Sequence, residues 1–372
     1  MNHRECIAAI LHYRPYDRLP IVHFGYWRET LEKWVAQGHL TSEEITELWD
    51  GNAKDQALAV KLGFDCNWNC NYGLNHGLVP AFEPKVVREF PDGSQHVLNW
   101  NGVVEVHNPA AQGIPAEIDH LLKDRASWEE HYKWRYQWSE SRVNLAGLRE
   151  LDAAQRSLPL GIYCGSLFGH IRDVVGIEGV SYLYVDDEPL FREIIDTVAD
   201  LCYRNVELAL RTARPGSFDF AHFWEDICFK NGPLVSPAVF EEYVGPHYKR
   251  ITDCVRSHGI DIVSLDCDGW IDALIPIWIA NGVNTMFPIE VGTWNASIAP
   301  WRQKYGRELR GVGGMNKTVF ARDRAAIDAE IERLKPLVEL GGYIPCPDHR
   351  IAPDAEFDNV RYYCERMRKV FG

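Results

Sequence analysis

The chain has 372 residues, is 46% apolar and carries a formal charge of −14. Its apolar content is ample for a large core. The charge argues against nucleic acid and anionic membrane as partners, because both need basic faces. No run reaches the ~20 apolar residues of a membrane span.

The opening MNHRECIAAI has no long apolar core, so a cytoplasmic protein without a signal peptide is expected. Ten scattered cysteines fit free thiols or metal ligands in a reducing compartment better than a disulfide scaffold. Thirteen tryptophans and sixteen tyrosines suit the walls of a deep pocket, or equally a large core with a homodimer interface.

In chain order, Arg4–His12 predicts a short helix and Ile21–Gly25 a first strand. Glu29–Gln37 has helical spacing. Thr41 with Glu44 predicts a capping box for Ser42–Trp49. Asp55–Leu62 predicts another helix, and Gly63–Cys66 a second strand. Cys66–Val79 has no apolar periodicity and reads as a loop over a site. Its Cys66 and Cys70 lack the second pair of a zinc-finger spacing. Turns at Pro91–Ser94 and Asn101-Gly102 join three short strands, an antiparallel excursion in an insertion spanning about 66–140.

From Ser141 onward short apolar runs alternate with helical patterns. Strands are expected at 159–164, 218–224, 261–266, 285–289, 309–313 and 342–346, and the helices include 144–156, 190–212, 238–257, 271–280, 323–339 and 358–370. With the two earlier strands this makes eight β-then-α units. The expected fold is a single-domain (β/α)8 TIM barrel over residues 1–372, with an antiparallel β insertion after strand 2. No G-x-G-x-x-G follows the first strand, so a dinucleotide site has no motif support.

Polar clusters end these strands, where barrel enzymes keep their chemistry. The strand through Phe218–Trp224 delivers Glu225 and Asp226, with His222 inside it and Cys228 beyond. Adjacent carboxylates there need solvent, a metal or a substrate. Glu225, Asp226, Asp268 and Tyr163 are the candidate catalytic groups. Trp224, Glu290 and Lys317 are candidate substrate contacts, with Lys317 neutralising the carboxylates. Cys267, Cys346, His349 and His222 end or line strands on one rim, and zinc takes N, S and O ligands of this kind.

The strand-end residues also carry a resemblance. Arg4, Ala8 and Ala9 with Tyr16-Asp17-Arg18-Leu19-Pro20 resemble the opening of the uroporphyrinogen decarboxylase superfamily. Gly232–Pro237, followed by Phe240, Tyr243–Pro246 and Tyr248-Lys249-Arg250, is similar to its central segment. Cys267-Asp268-Gly269, Ala280–Val283 with Pro288-Ile289-Glu290, and His349 with Pro353 and Asn359 continue the likeness to the C-terminus. The resemblance spans essentially the whole chain and implies a (β/α)8 barrel.

Two chemistries are implied: cofactor-free decarboxylation, or zinc-dependent methyl transfer involving a corrinoid protein. The arginine-rich stretch of the decarboxylases is matched here by His23-Phe24-Gly25-Tyr26-Trp27-Arg28, with one arginine. An octa-anionic porphyrinogen needs several bidentate cations, so uroporphyrinogen is not the expected substrate. His23 and Tyr26 then become candidate contacts to a smaller molecule. In the methyltransferase branch the fifth strand ends His-x-Cys and the eighth carries a cysteine. Here Leu265-Asp266-Cys267 keeps the thiol without the histidine, and Cys346 and His349 share the eighth position. The reading is a methyltransferase assisted by Zn2+ and working with a corrinoid protein; the alternative is a carboxy-lyase of a smaller substrate.

Overall fold

The apolar runs of the sequence do become short parallel strands, and most are buried on both faces. Val263–Asp266 and Tyr343–Pro347 have every residue buried, as strands covered by helices on one side and core on the other must. The structure is a computed structural model and describes residues 1–109 and 114–372.

Seven strands form one sheet in the order Tyr343–Pro347, Arg310–Met315, Thr285–Phe287, Val263–Asp266, Phe220–Trp224, Gly161–Gly165, Asn71–Tyr72. All adjacent pairs are parallel. Immediately upstream of the last, Cys66–Asn67 pairs in parallel with Val22–His23. Beyond that first strand, Tyr26 bridges Ile351 in parallel. The Ile351 amide donates to Gly25 O at 3.0 Å, and the Trp27 amide donates to Ile351 O at 3.1 Å. The first strand therefore touches the chain leaving the last. The architecture is mixed α/β with a large parallel sheet, in a TIM-barrel-like arrangement.

Helices connect the strands. Glu188–Thr212 buries Leu190, Phe191, Ile194, Ile195, Val198, Leu201 and Cys202, an apolar stripe at i, i+3, i+4 spacing. Asp187 caps it by accepting from the Leu190 amide at 3.0 Å. The expected helix 238–257 is two helices, Pro237–Tyr243 and Gly245–Ser257. Pro246 lies in the first turn of the second, where its missing N–H costs nothing, but it could not sit inside a continuous helix. The expected helix 144–156 stops at Glu150, and Asp152 caps a separate short turn, Ala153–Gln155. Helices Ile177–Asp186 and Ile298–Tyr305 were not expected.

Residues Cys66–Val79 are not wholly a loop, because Cys66–Asn67 and Asn71–Tyr72 are strands. The Cys70 thiol donates to Pro159 O at 3.0 Å, and Cys66 is buried in the core. Within 85–120 four antiparallel strands pair in sequence, Lys85–Glu89, Gln95–Leu98, Val103–His107 and Ala116–His120. The fourth was not expected, because AEIDH is polar and largely exposed.

Trp34, Trp68, Trp128 and Trp278 are fully buried in one continuous core, while others face a cavity. The tryptophans thus both fill the core and wall a cavity. Among the described residues no helix is long and apolar enough to cross a membrane.

Candidate active site

Successive side chains at a strand end point to opposite sides. At the ends of strands Phe220–Trp224, Val263–Asp266 and Tyr343–Pro347 this alternation sorts functional from structural groups. Trp224 and Asp226, Asp266 and Asp268, and His349 line one cavity of about 600 Å³. The residues between or beside them, Glu225, Cys267 and Asp348, turn away into the protein. Phe24, Tyr26 and Trp27, which follow the first strand, form the facing wall.

Within the cavity, Asp268 Oδ2 lies 3.1 Å from His349 Nε2. The His349 ring stacks on Trp27, with centroids 5.8 Å apart and planes at 17°, and meets Phe24 edge-on at 5.6 Å. These contacts fix the imidazole plane and aim one nitrogen at a carboxylate, as an acid–base histidine requires. Asp226 sits at φ +47°, uncommon for a residue with a side chain. Arg172 braces it, donating to Asp226 O at 2.8 Å and approaching Oδ2 at 3.7 Å.

Asp266 is only 6% exposed. Its burial, followed by the charges of Asp268 and Asp226, pushes its carboxyl well above the usual range. Asp226 is raised too, by burial first and Asp268 second. Burial and the neighbouring charges thus favour the protonated form at Asp266 and Asp226.

Several expected site residues stand elsewhere. Glu225 is fully buried and is not a cavity group. Its carboxylate accepts from the amides of Leu167 at 2.8 Å, Phe168 at 2.9 Å and Gly169 at 2.6 Å, and from Ser166 Oγ at 3.2 Å. The Tyr248 hydroxyl also donates to it. It ties its strand to the start of helix Gly169–Val175 and has no acceptor capacity left for chemistry. The approach is close enough that a Cβ on Gly169 would meet the Glu225 carbonyl oxygen at 1.8 Å.

His23 is likewise buried behind the wall. Its Nδ1 accepts from the Gly25 amide at 3.1 Å, and Nε2 faces Asp55 Oδ1 at 4.0 Å. Glu290 accepts from the Gly269 amide at 2.7 Å, bracing the turn that presents Asp268. Lys317 is half-buried off the cavity wall, and burial pushes its ammonium down against the pull of Asp348, Asp268 and Glu290. Tyr163 lines a smaller neighbouring cavity of about 200 Å³ with His76 and His170, and Trp224 separates the two.

The four expected metal ligands do not converge. His349 faces the cavity. Cys267 Sγ instead accepts from the Ile227 amide at 3.4 Å and lies beside Cys228. Cys346 is fully buried in the core. His222 packs edge-on against Phe220 and Phe287, with centroids at 6.3 and 6.0 Å. Among the described residues no group of three or more His, Cys, Asp and Glu side chains is arranged to hold a metal ion. This donor set does not fit zinc, whose ligands must meet at about 2.0–2.3 Å from one centre.

Burial alone holds the His222 imidazole down to about 3, and burial dominates at His76 and His170, both near 4. In a histidine NMR titration all three rings are therefore expected to stay neutral between pH 8 and pH 5.5. A midpoint above 5.5 for His222 would contradict its core placement.

Sequence reading missed the Arg350–Asp50 ion pair at the cavity edge, the cavity role of Asp266 and Trp27, and the bracing role of Asp348. Asp348 accepts from the amides of Val291 and Gly292, each at 2.8 Å, and of Lys317 at 3.0 Å. It fastens three strand ends together. The period-two parity at 266, 267 and 268 was the available signal for Asp266.

No protein-family model matches this sequence, and no curated protein matches it. Solved structures do. A methyltransferase from Methanosarcina mazei superposes at a TM-score of 0.61 with 14% identity, covering 100% of this chain and 99% of its own. A B12-independent methionine synthase from Shewanella sp. W3-18-1 superposes at 0.46 with 12% identity, covering 95% and 99%. The likeness is one of fold.

Proposed function

We propose that the chain is a methyl-transfer enzyme acting on a small molecule in the strand-end cavity, with His349 and Asp268 managing the proton. The observation that carries this reading is the 3.1 Å Asp268–His349 contact. It lies in an aromatic-walled cavity of about 600 Å³, on a fold shared with a methyltransferase. When a methyl group leaves oxygen or sulfur, the departing atom keeps the bonding electrons and gains a proton. His349, oriented by Asp268 and Trp27, would supply it. In the opposite direction the same nitrogen would take the proton from an accepting thiol. Phe24, Trp27 and Trp224 would hold the carbon skeleton and exclude water.

The cavity has room for a small substrate only, so a corrinoid partner would meet it at the mouth. The expected zinc ligands do not converge, and no step of this reading passes through a metal. Eight sub-parallel strands closing into a complete barrel, with Tyr26 and Ile351 at the seam, would bring these groups to one rim.

A second reading is favoured by Asp266. A buried carboxyl held neutral can protonate the carbanion left by loss of CO2, which would make the chain a carboxy-lyase. The test incubates the protein with reduced cobalamin and a panel of methoxylated, methylthio and N-methylated small molecules, following methylcobalamin absorbance. Released CO2 is measured on a carboxylate panel that includes uroporphyrinogen. Methylcobalamin formation above the protein-free rate is expected, with no turnover of uroporphyrinogen. CO2 release without methyl transfer would replace the first reading by the second.

A further inference from the structure

The charge around the cavity is unbalanced. Five of the surrounding residues are carboxylates and two, Arg28 and Arg350, are arginines. Arg28 is engaged by Glu32 at 2.9 Å, and Arg350 is paired with Asp50. Arg172 reaches only the edge of Asp226, at 3.7 Å, and holds Asp173 more closely. His349 meets Asp268 at 3.1 Å, and among the described residues Asp226 and Asp266 are left without a close cation of their own.

Asp266 adds a separate observation. It is more than nine-tenths buried on the cavity wall, and its carboxylate has no hydrogen bond or ion pair among the described residues. A buried carboxyl in that state stays protonated unless a positive partner offsets its charge, so a bound cation would let it ionise. The remaining wall is made of aromatic faces, notably Trp27 and Trp224, and such faces attract cations through their quadrupoles. An anionic ligand would be repelled by the carboxylates, and a neutral one would leave their charge without a counterion.

We propose that the ligand of this cavity is a small organic cation, an ammonium or quaternary ammonium. Its charge sits among Asp226, Asp266 and Asp268, and its carbon substituents lie against Trp27 and Trp224. This rests on the cavity being the substrate site, and it narrows the substrate to small molecules that carry a charged amine beside the reacting oxygen or sulfur.

Titration calorimetry with two probes of one shape separates charge from fit. Choline carries the cation, and 3,3-dimethylbutan-1-ol replaces its nitrogen by carbon. Choline is expected to bind saturably and about tenfold or more tighter than the alcohol. Asp266→Asn should lose about tenfold or more of the choline affinity and leave the alcohol unchanged. If that variant does not fold, Asp226→Asn, at the half-exposed edge, gives the same comparison. Equal binding of the two probes, choline binding indifferent to the substitution, or no saturable choline binding would each overturn the proposal. No turnover is measured, so the outcomes separate. Methyl transfer from an uncharged ether without cation binding would remove this inference alone. Cation binding without any methyl transfer would remove only the reaction class.

Discussion

Glu225→Ala is expected to lower the unfolding free energy by about 4 kcal/mol, on the scale of ~1–3 kcal/mol for each buried donor left unsatisfied. The carboxylate gathers three backbone amides, a serine hydroxyl and the Tyr248 hydroxyl in a fully buried place. Alanine removes every acceptor at once, and water cannot replace them without opening the strand-to-helix connection. Against a typical total of ~5–15 kcal/mol this is a large fraction, so much of the variant is expected to be insoluble. Glu225→Gln keeps the volume but turns one acceptor into a donor facing amides, so an intermediate loss of about 2 kcal/mol is expected. Tyr248→Phe removes one donor and should cost about 1 kcal/mol. Urea unfolding followed by circular dichroism ranks the three. A stable, soluble Glu225→Ala protein that had lost only activity would return this residue to the catalytic group.

The contrast between Glu225 and Asp226 shows where sequence reading stops. Both end the Phe220–Trp224 strand, and apolar patterning placed that strand end correctly. Patterning does not say which of two adjacent carboxylates faces the cavity. The same holds for Cys267, set between Asp266 and Asp268, and for Asp348 beside His349. Chemical type drew attention to the thiol and both neighbouring acids, while the alternation of a strand sends them to opposite sides. The expected zinc ligands do not converge, and for Cys267 the reason is that parity, because a ligand chosen by residue type ignored direction.

What was legible followed from long-range regularity. Repeated apolar runs and amphipathic helices gave the alternation of strand and helix. Positions at run ends brought Asp226, Asp268 and His349 together with Tyr26 and Trp224. The Arg350–Asp50 pair was not legible, because its partners lie 300 positions apart and each alone reads as a solvated charge. The fourth antiparallel strand was hidden for a related reason. Ala116–His120 is held by its neighbour's ladder and buries almost nothing of its own.

Asp268→Asn is expected to act oppositely to Glu225→Ala, costing activity and not stability. Asparagine keeps the shape of the side chain but cannot hold a charged or correctly tautomeric His349 as a carboxylate does. A fall of about 10²-fold in kcat is expected, within the usual range for a positioned acid–base pair. His349→Gln with Asp268→Asn should lose no more kcat than either alone, since the two act as a unit. Stability gives a readout that needs no substrate. Asp268 is the strongest neighbouring charge pushing Asp266 up. A carboxyl whose folded pKa lies above its unfolded value stabilises fully below the unfolded value, and that contribution is lost as pH rises through the folded one. Wild-type Tm should therefore decline as pH rises through the elevated Asp266 range. In Asp268→Asn that decline should shrink and end at lower pH, and at neutral pH the variant should match or exceed the wild type. An equal Tm–pH slope in both proteins would mean that the two aspartates do not share one site. Full activity in Asp268→Asn would remove the Asp268–His349 pair from the mechanism.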